Sequence, residues 1–279
     1  MIWSPPVVMA PQMVVGILNV TPDSFSDGGR YDSLGAAITH GCQLHDEGAG
    51  LVDVGGESTR PGAQRIDAAT EIHRVVPVIR ALTEAGVPTS VDTTRATVAA
   101  AAVEAGAAVV NDVSGGLADP EMLPVVASLG CPYVIMHWRG HSAGMQALAV
   151  YDDVVQMVRD ELSQQVDAAL AAGIAREVII LDPGLGFAKT AAHNWALTKH
   201  LDRIVDLGFP VLFGASRKSY LGALLADDQG RPRPADQRAA ATVATSLIAI
   251  AAGAWGVRVH DVQDTVDALA VWRRTQEEP

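Results

Sequence analysis

The sequence is short of cationic charge. Its 20 lysines and arginines stand against 32 aspartates and glutamates, for a net charge of −12. With no basic stripe either, nucleic acid is not an expected partner. An anionic ligand would have to be held by a few local cations rather than by a global field. Cysteine is scarce too: Cys42 and Cys131 lie far apart, form no CxxC pair, and read as reduced thiols of a cytoplasmic protein. No uninterrupted apolar run reaches the roughly 18 residues of a membrane span. The opening MIWSPPVVMAPQ lacks the positive and apolar regions of a secretory signal. The histidines show no HExxH spacing and no cysteine partners, which argues against a zinc site. No GxGxxG follows the first strand, and GxSxG is absent, so Ser216 reads as a binding hydroxyl rather than a nucleophile.

What the chain does have is a recurrence of short apolar runs. Strands are expected at Val14–Leu18, Leu51–Val54, Thr89–Val91, Val109–Val110, Tyr133–Met136, Val178–Leu181, Val211–Phe213 and Val257–Val259. The runs are continuous rather than alternating, the pattern of parallel strands buried on both faces. Helical periodicity fills the gaps. Ile72, Val75, Val76, Ile79 and Leu82 form one stripe behind an Asp67 cap, with Pro77 placed to kink it. Val155, Val158, Leu162, Val166 and Leu170 form another. Alanine-rich helices are expected at 96–105 and 238–252, and a last one at Val262–Arg273. Eight strands each followed by helix predict a single α/β domain, an eight-stranded parallel β/α (TIM) barrel. It would span residues 13–274, between an N-terminal extension (1–12) and a C-terminal tail (275–279).

The polar residues at the strand ends carry the functional signal. In order, the strands run into Asn19, the segment VGGESTRPGA, Asp92, Asn111 with Asp112, His137, Asp182, GASRK with Ser216 to Lys218, and Arg258 with His260. One aspartate at a strand end is as often a helix cap as a site residue. Eight polar groups on one rim are the pattern of an enzyme, because barrel active sites are built at the C-terminal face. Two glycine-rich polar segments, Asn19–Asp32 and Gly55–Asp67, lie on that rim as candidate lids. A third, Ala226–Ala235, reads as a solvated loop.

Arg258 and His260 alternate along the last strand, and two donors on one face suit a phosphate or diphosphate. Lys218 adds a cation from the neighbouring strand. Since the eighth strand of a closed barrel adjoins the first, Asn19 is expected beside Arg258, where its amide oxygen could hold Mg2+ with substrate phosphates and water. Asp92, Asn111 and Asp182 offer the acceptors and donor that an amino-pyrimidinone edge requires, on the opposite flank.

These segments resemble dihydropteroate synthases. GILNVTPDSFSDGG and VDVGGESTRPGA are similar to the family's two leading signatures, and DTTR, VNDVSGG, LDPGLGF, GASRK and RVHD follow in order, from about Met13 to Val271. MHWR and GLGFAKTAAHNW resemble actinobacterial members. The resemblance implies condensation of a dihydropterin methyl diphosphate with p-aminobenzoate in folate biosynthesis. It implies that Asn19 binds Mg2+ and diphosphate, that Asp92, Asn111, Asp182 and Lys218 hold the pterin, and that Arg258 stacks over the ring. With Thr59 and His260, Arg258 would also hold the diphosphate. Phe25, Thr59, Pro61, Phe187 and Ser219 would line a p-aminobenzoate pocket open to sulfonamides. It also implies a homodimer, for which ATVATSLIAIAAGAW is a candidate face, although its reading as a core-facing helix is favoured. Asp92, Lys218, Arg258 and His260 are the expected catalytic groups. Two alternatives are a pterin-dependent methyltransferase, which has no use for GASRK or for the loops bearing Phe25 and Pro61, and a non-catalytic pterin-binding paralogue.

Overall fold

The computed structural model describes residues 12–21, 30–58, 65–141 and 144–277. The expected site residues Phe25, Thr59 and Pro61 lie outside them. Eight parallel strands form one sheet: β1 Met13–Asn19, β2 Leu51–Gly55, β3 Thr89–Asp92, β4 Val109–Asp112, β5 Tyr133–Met136, β6 Ile179–Asp182, β7 Leu212–Phe213 and β8 Gly256–Val259. The hydrogen-bonded order is β6-β5-β4-β3-β2-β1-β8-β7. A bridge between Leu181 and Val211 joins the two ends, and Leu181 N–H donates to Pro210 O at 2.8 Å, so the sheet closes on itself. The expected barrel is therefore present.

The helices among the described residues are α1 Arg30–Asp46, α2 Ala68–Glu84, α3 Ala96–Glu104, α4 Met122–Leu129, α5 Val154–Ala171, α6 Ala191–Lys199, α7 Asp202–Val205, α8 Ser219–Leu224, α9 Ala239–Ala251 and α10 Val262–Gln276. Asp67 caps α2, accepting from Thr70 N–H at 2.8 Å, and the helix is continuous through Pro77. The stripe expected on α5 is shifted. Val154, Val158, Leu162, Gln165, Val166 and Ala169 are buried, whereas Leu170 is 37% exposed. A helix turns 100° per residue, and the inward face here runs through Ala169 instead. On α9, Thr242, Thr245, Ser246, Ala249 and Ile250 face the core, while Ile248 stands 51% exposed.

The core is in two parts. The larger fills the layer between sheet and helices, with Val14, Leu18, Val52, Val54, Val110 and Leu181 among its strand residues. The smaller contains Val15, Leu51, Val109, Val134, Ile180 and Leu212, which alternate with the first set and fill the barrel interior. The two-residue period then sets the level above. Asp53, Asn111, Met136, Asp182 and Gly214 each lie two residues past an interior apolar side chain, so they share the inward face and form the floor of the barrel mouth.

Candidate active site

Arg258 organises the mouth. Its Nε donates to Asp53 Oδ2 at 2.6 Å and its Nη2 to Asp92 Oδ2 at 2.9 Å. Asp53 is fully buried and also accepts from Ser90 Oγ at 2.5 Å and Asn111 Nδ2 at 3.0 Å. One arginine thus bridges two carboxylates, and one hydrogen of the Asn111 amide is already engaged. Burial would weaken the Arg258 charge, but Asp53 and Asp92 outweigh it and hold the guanidinium more firmly protonated. Because that charge is shared, Asp92 is under-compensated. Burial pushes its carboxyl up to about 7 against the pull of Arg258, with the Asp53 charge adding to the rise.

This arrangement corrects one expectation: Arg258 is not on a flank apart from the acceptors but among them. Asn19, on the adjoining strand, starts from a different level. Arg258 pairs in register with Val15, four residues before Asn19, whereas Asn19 is level with Gly55, Gly55 with Asp92 and Asp92 with Asn111. The stagger of tilted barrel strands makes this difference, since adjacent strands end at different heights. Gly55 is the gap between the two side chains. A Cβ there would sit 3.6 Å from Asp92 Cβ and 3.8 Å from both Asn19 Oδ1 and Asp92 Oδ2.

Asp182 and Lys218 form the second half of the floor. Asp182 Oδ1 accepts from Gly184 N–H at 2.7 Å, and Oδ2 lies 3.7 Å from where a Cβ on Gly214 would be. Burial raises the Asp182 carboxyl, against the charge of Lys218 and the Gly184 hydrogen bond. Lys218 Nζ donates to Leu185 O and sits 5.0 Å from the centroid of the Phe187 ring. Burial lowers its ammonium to about 8, against Asp182, with Arg258 adding to the fall. Ser219, beside it at the start of α8, is exposed. Phe187 and Lys218 are thus brought together, and Ser219 follows Lys218 in the chain. Gly184 has φ +67°, and a Cβ there would come within 2.3 Å of His137 O, so this turn admits only glycine.

Two buried groups, Asp53 and Lys189, are not singled out by the sequence. Asp53 left a signal, a charge inside an otherwise apolar strand and two residues from Leu51 on the same face. Lys189 left none. It is buried, with Nζ 2.9 Å from His137 Nδ1 and donating to Phe187 O at 3.1 Å, so it underpins the turn after β6. Burial first, then the Lys218 charge, holds its ammonium well below the usual lysine range. His137, noted only as a strand-end residue, is fully buried, with Nε2 2.9 Å from Glu161 Oε2. Burial, then Lys189, pushes it down to about 4, so it is neutral at physiological pH. Asp112 faces away from the mouth and ties its own turn, accepting from Ser114 N–H at 2.8 Å, Gly116 N–H at 2.7 Å and Tyr133 OH at 2.8 Å.

His260 lies just past β8. Its Nδ1 is 2.9 Å from Ser216 Oγ, and its backbone N–H donates to the same oxygen at 3.1 Å. Among the described residues, no three His, Cys, Asp or Glu side chains group as a metal site. No described helix is long and apolar enough to cross a membrane.

A β/α barrel with buried carboxylates and cations converging on its C-terminal mouth is an enzyme scaffold. Comparison with known proteins narrows the class. A family model described as "Pterin binding enzyme" matches residues 15–260. The dihydropteroate synthase of Mycobacterium leprae is 54% identical over 264 residues, 94% of this chain and 93% of that protein. The structure of Xanthomonas albilineans dihydropteroate synthase with 4-aminobenzoic acid aligns with a TM-score of 0.89 at 46% identity, covering 96% of this chain and 94% of the other. The Xanthomonas enzyme in complex with 7,8-dihydropteroate aligns at 0.85 and 43% identity, covering 96% and 95%. The chain belongs to the pterin-binding enzymes and, within them, to the dihydropteroate synthase family.

Proposed function

We propose that the protein joins (7,8-dihydropterin-6-yl)methyl diphosphate to p-aminobenzoate, releasing 7,8-dihydropteroate and diphosphate, as a cytoplasmic homodimer in folate biosynthesis. The observation that carries this is the convergence of Asp92, Asn111, Asp182 and Lys218 on one mouth, in a chain 54% identical to a dihydropteroate synthase. The carboxylates and amide of this floor match the N–H and carbonyl pattern of a pterin edge. Buried groups of that kind discriminate strongly against a ring lacking the matching atoms. Phe187 and Ser219, beside Lys218, offer a wall for p-aminobenzoate, to which Phe25, Thr59 and Pro61 would contribute. A sulfonamide should compete with p-aminobenzoate there. The cytoplasmic assignment is supported by two unbridged cysteines, and the dimer by family resemblance.

Bond breaking leads in the mechanism. The C–O bond between the methylene and the diphosphate breaks first, leaving a cation delocalised into the pterin. The arylamine nitrogen then attacks that carbon and passes its proton to water or to the released diphosphate. No side chain is needed to activate the amine, because the electrophile is a cation. Asp92 offsets the developing positive charge, and its carboxyl lies within the Arg258 hydrogen-bond network that fixes its direction. Arg258 stacks over the ring and, with Asn19, Thr59 and His260, receives the leaving diphosphate. Asn19 would hold Mg2+ through its amide oxygen, which faces the gap at Gly55, and a hard cation of this kind completes its shell with phosphate oxygens and water. When bound, Mg2+ would supply charge neutralisation of the diphosphate.

Steady-state assay of the full chain with the pterin diphosphate, p-aminobenzoate and Mg2+ should yield dihydropteroate and diphosphate in equal amounts. Binding of the pterin without turnover would instead make the chain a non-catalytic paralogue, and methyl transfer would make it a methyltransferase. The pH profile carries a further expectation. Lys218 loses its proton above about 8, and with it the charge that faces Asp182. The basic limb of kcat/KM should therefore have a midpoint near 8, and Lys218→Arg should move that limb to higher pH. A limb unchanged by that substitution would rule out Lys218 as its source.

A further inference from the structure

We infer that Ser216 is a positioning residue for His260, fixing the imidazole as the Nε2–H tautomer so that it presents a neutral N–H donor to the departing diphosphate. The second half of this statement rests on the reading of His260 as a diphosphate ligand. The first half rests on counting hydrogens.

Ser216 is 7% exposed, and its hydroxyl has two partners, both on His260: the backbone N–H at 3.1 Å and Nδ1 at 2.9 Å. A backbone amide nitrogen can only donate, so the first contact uses Oγ as acceptor. The hydroxyl has one hydrogen of its own, and Nδ1 is the acceptor within its reach. The hydrogen goes there, which requires Nδ1 to be unprotonated and leaves the ring hydrogen on Nε2. In the opposite tautomer both contacts would donate to Oγ, and a buried hydroxyl hydrogen would be left without an acceptor. That penalty suffices to bias the two tautomers by at least about tenfold.

The turn that carries Ser216 is held in place independently. Arg217 adopts φ +57°, a conformation uncommon for a long side chain. Its N–H donates to Thr242 Oγ1 at 3.1 Å, its carbonyl accepts from Arg238 Nη1 at 2.7 Å, and its Nε donates to Asp261 Oδ2 at 3.2 Å. Two consecutive residues after β7, Ser216 and Arg217, thus grip two consecutive residues after β8, His260 and Asp261. The pairing sets the ring's orientation before any ligand arrives, so the donor needs no reorganisation as charge develops on the leaving group. It also assigns His260 to the anion rather than to the metal. With Nδ1 engaged and Nε2 protonated, neither nitrogen presents a lone pair to a cation, and Mg2+ prefers oxygen in any case.

The test is the 15N spectrum of the histidine rings in the full-length protein at neutral pH, with the His260 signals assigned by their loss in His260→Gln. The expected result is an imine-type Nδ1 and a protonated Nε2. A protonated Nδ1, or an averaged pair of shifts, overturns the inference. In Ser216→Ala the two shifts should move toward the averaged values of a free ring, and the Kd for inorganic diphosphate should rise about tenfold. Shifts that stay as in the wild type would remove Ser216 from the role. Should Ser216→Ala not fold, the wild-type spectrum still decides the tautomer. Diphosphate binding unchanged in His260→Gln would overturn the donor role and the ligand reading of His260, a failure separate from that of the tautomer.

Discussion

Asp92→Asn should lower kcat by about 10²- to 10³-fold with little change in the Tm of the protein. The side chain keeps its size and an oxygen to accept from Arg258 Nη2, so the mouth stays assembled. What it loses is the negative charge that stands against the pterin-methyl cation, and removing one preorganised electrostatic partner typically costs that much in rate. Burial already opposes ionisation of the wild-type carboxyl, so neutralising it carries no folding penalty. The same shift gives an acid limb. Asp92 is protonated below about 7, and only the ionised form can offset a cation, so kcat/KM should fall as pH drops through about 7 in the wild type and lose that limb in Asp92→Asn. Together with the Lys218 limb this leaves a narrow optimum. Turnover of Asp92→Asn within twofold of the wild type would end the charge-stabilisation mechanism.

Arg258→Met should be the most damaging single change to stability, about 3–5 kcal/mol near neutral pH. Methionine matches the length of the aliphatic stem, so packing is largely kept. The loss is electrostatic: Asp53, fully buried, and Asp92, nearly so, would face each other without the guanidinium that separates them. The pH dependence has a definite sign. The folded carboxyl of Asp92 already titrates above its ordinary value, and without Arg258 it would rise further. A group raised in the folded state contributes stability below its unfolded pKa and loses it as pH climbs through the folded one. In the wild type that loss is complete by about pH 7, so the deficit of the variant should be roughly constant below about pH 7 and widen as the pH rises above it. Adding Asp53→Asn should recover part of it, because one of the two unpaired charges is gone. Urea midpoints across that pH range provide the measurement. A midpoint equal to the wild type throughout would show that the Asp53–Arg258–Asp92 bridge contributes nothing to the fold.

Much of the barrel could be read from local pattern. The run Tyr133–Met136 was found to the residue, and Leu51, Thr89 and Val109 begin their strands where expected. A strand buried on both faces must be apolar along its whole length, and that is a property of neighbouring residues. The strand-end positions of Asp92, Asn111 and Asp182 were legible for the same reason. The stripe on α5 was misjudged at Leu170 because several rows of that helix are apolar, and the choice among them is made by what it packs against.

By itself the sequence determined the class of fold, the rim on which chemistry is placed, and the family, since each depends on residues read in order along the chain. Which groups touch was decided only by the closed barrel. Arg258 meets Asp53 across 205 positions of sequence and Asp92 across 166, and Asn19 is set level with Asp92 rather than with Arg258. Those pairings follow from the stagger of tilted strands, a collective consequence of eight strands closing that no single segment encodes.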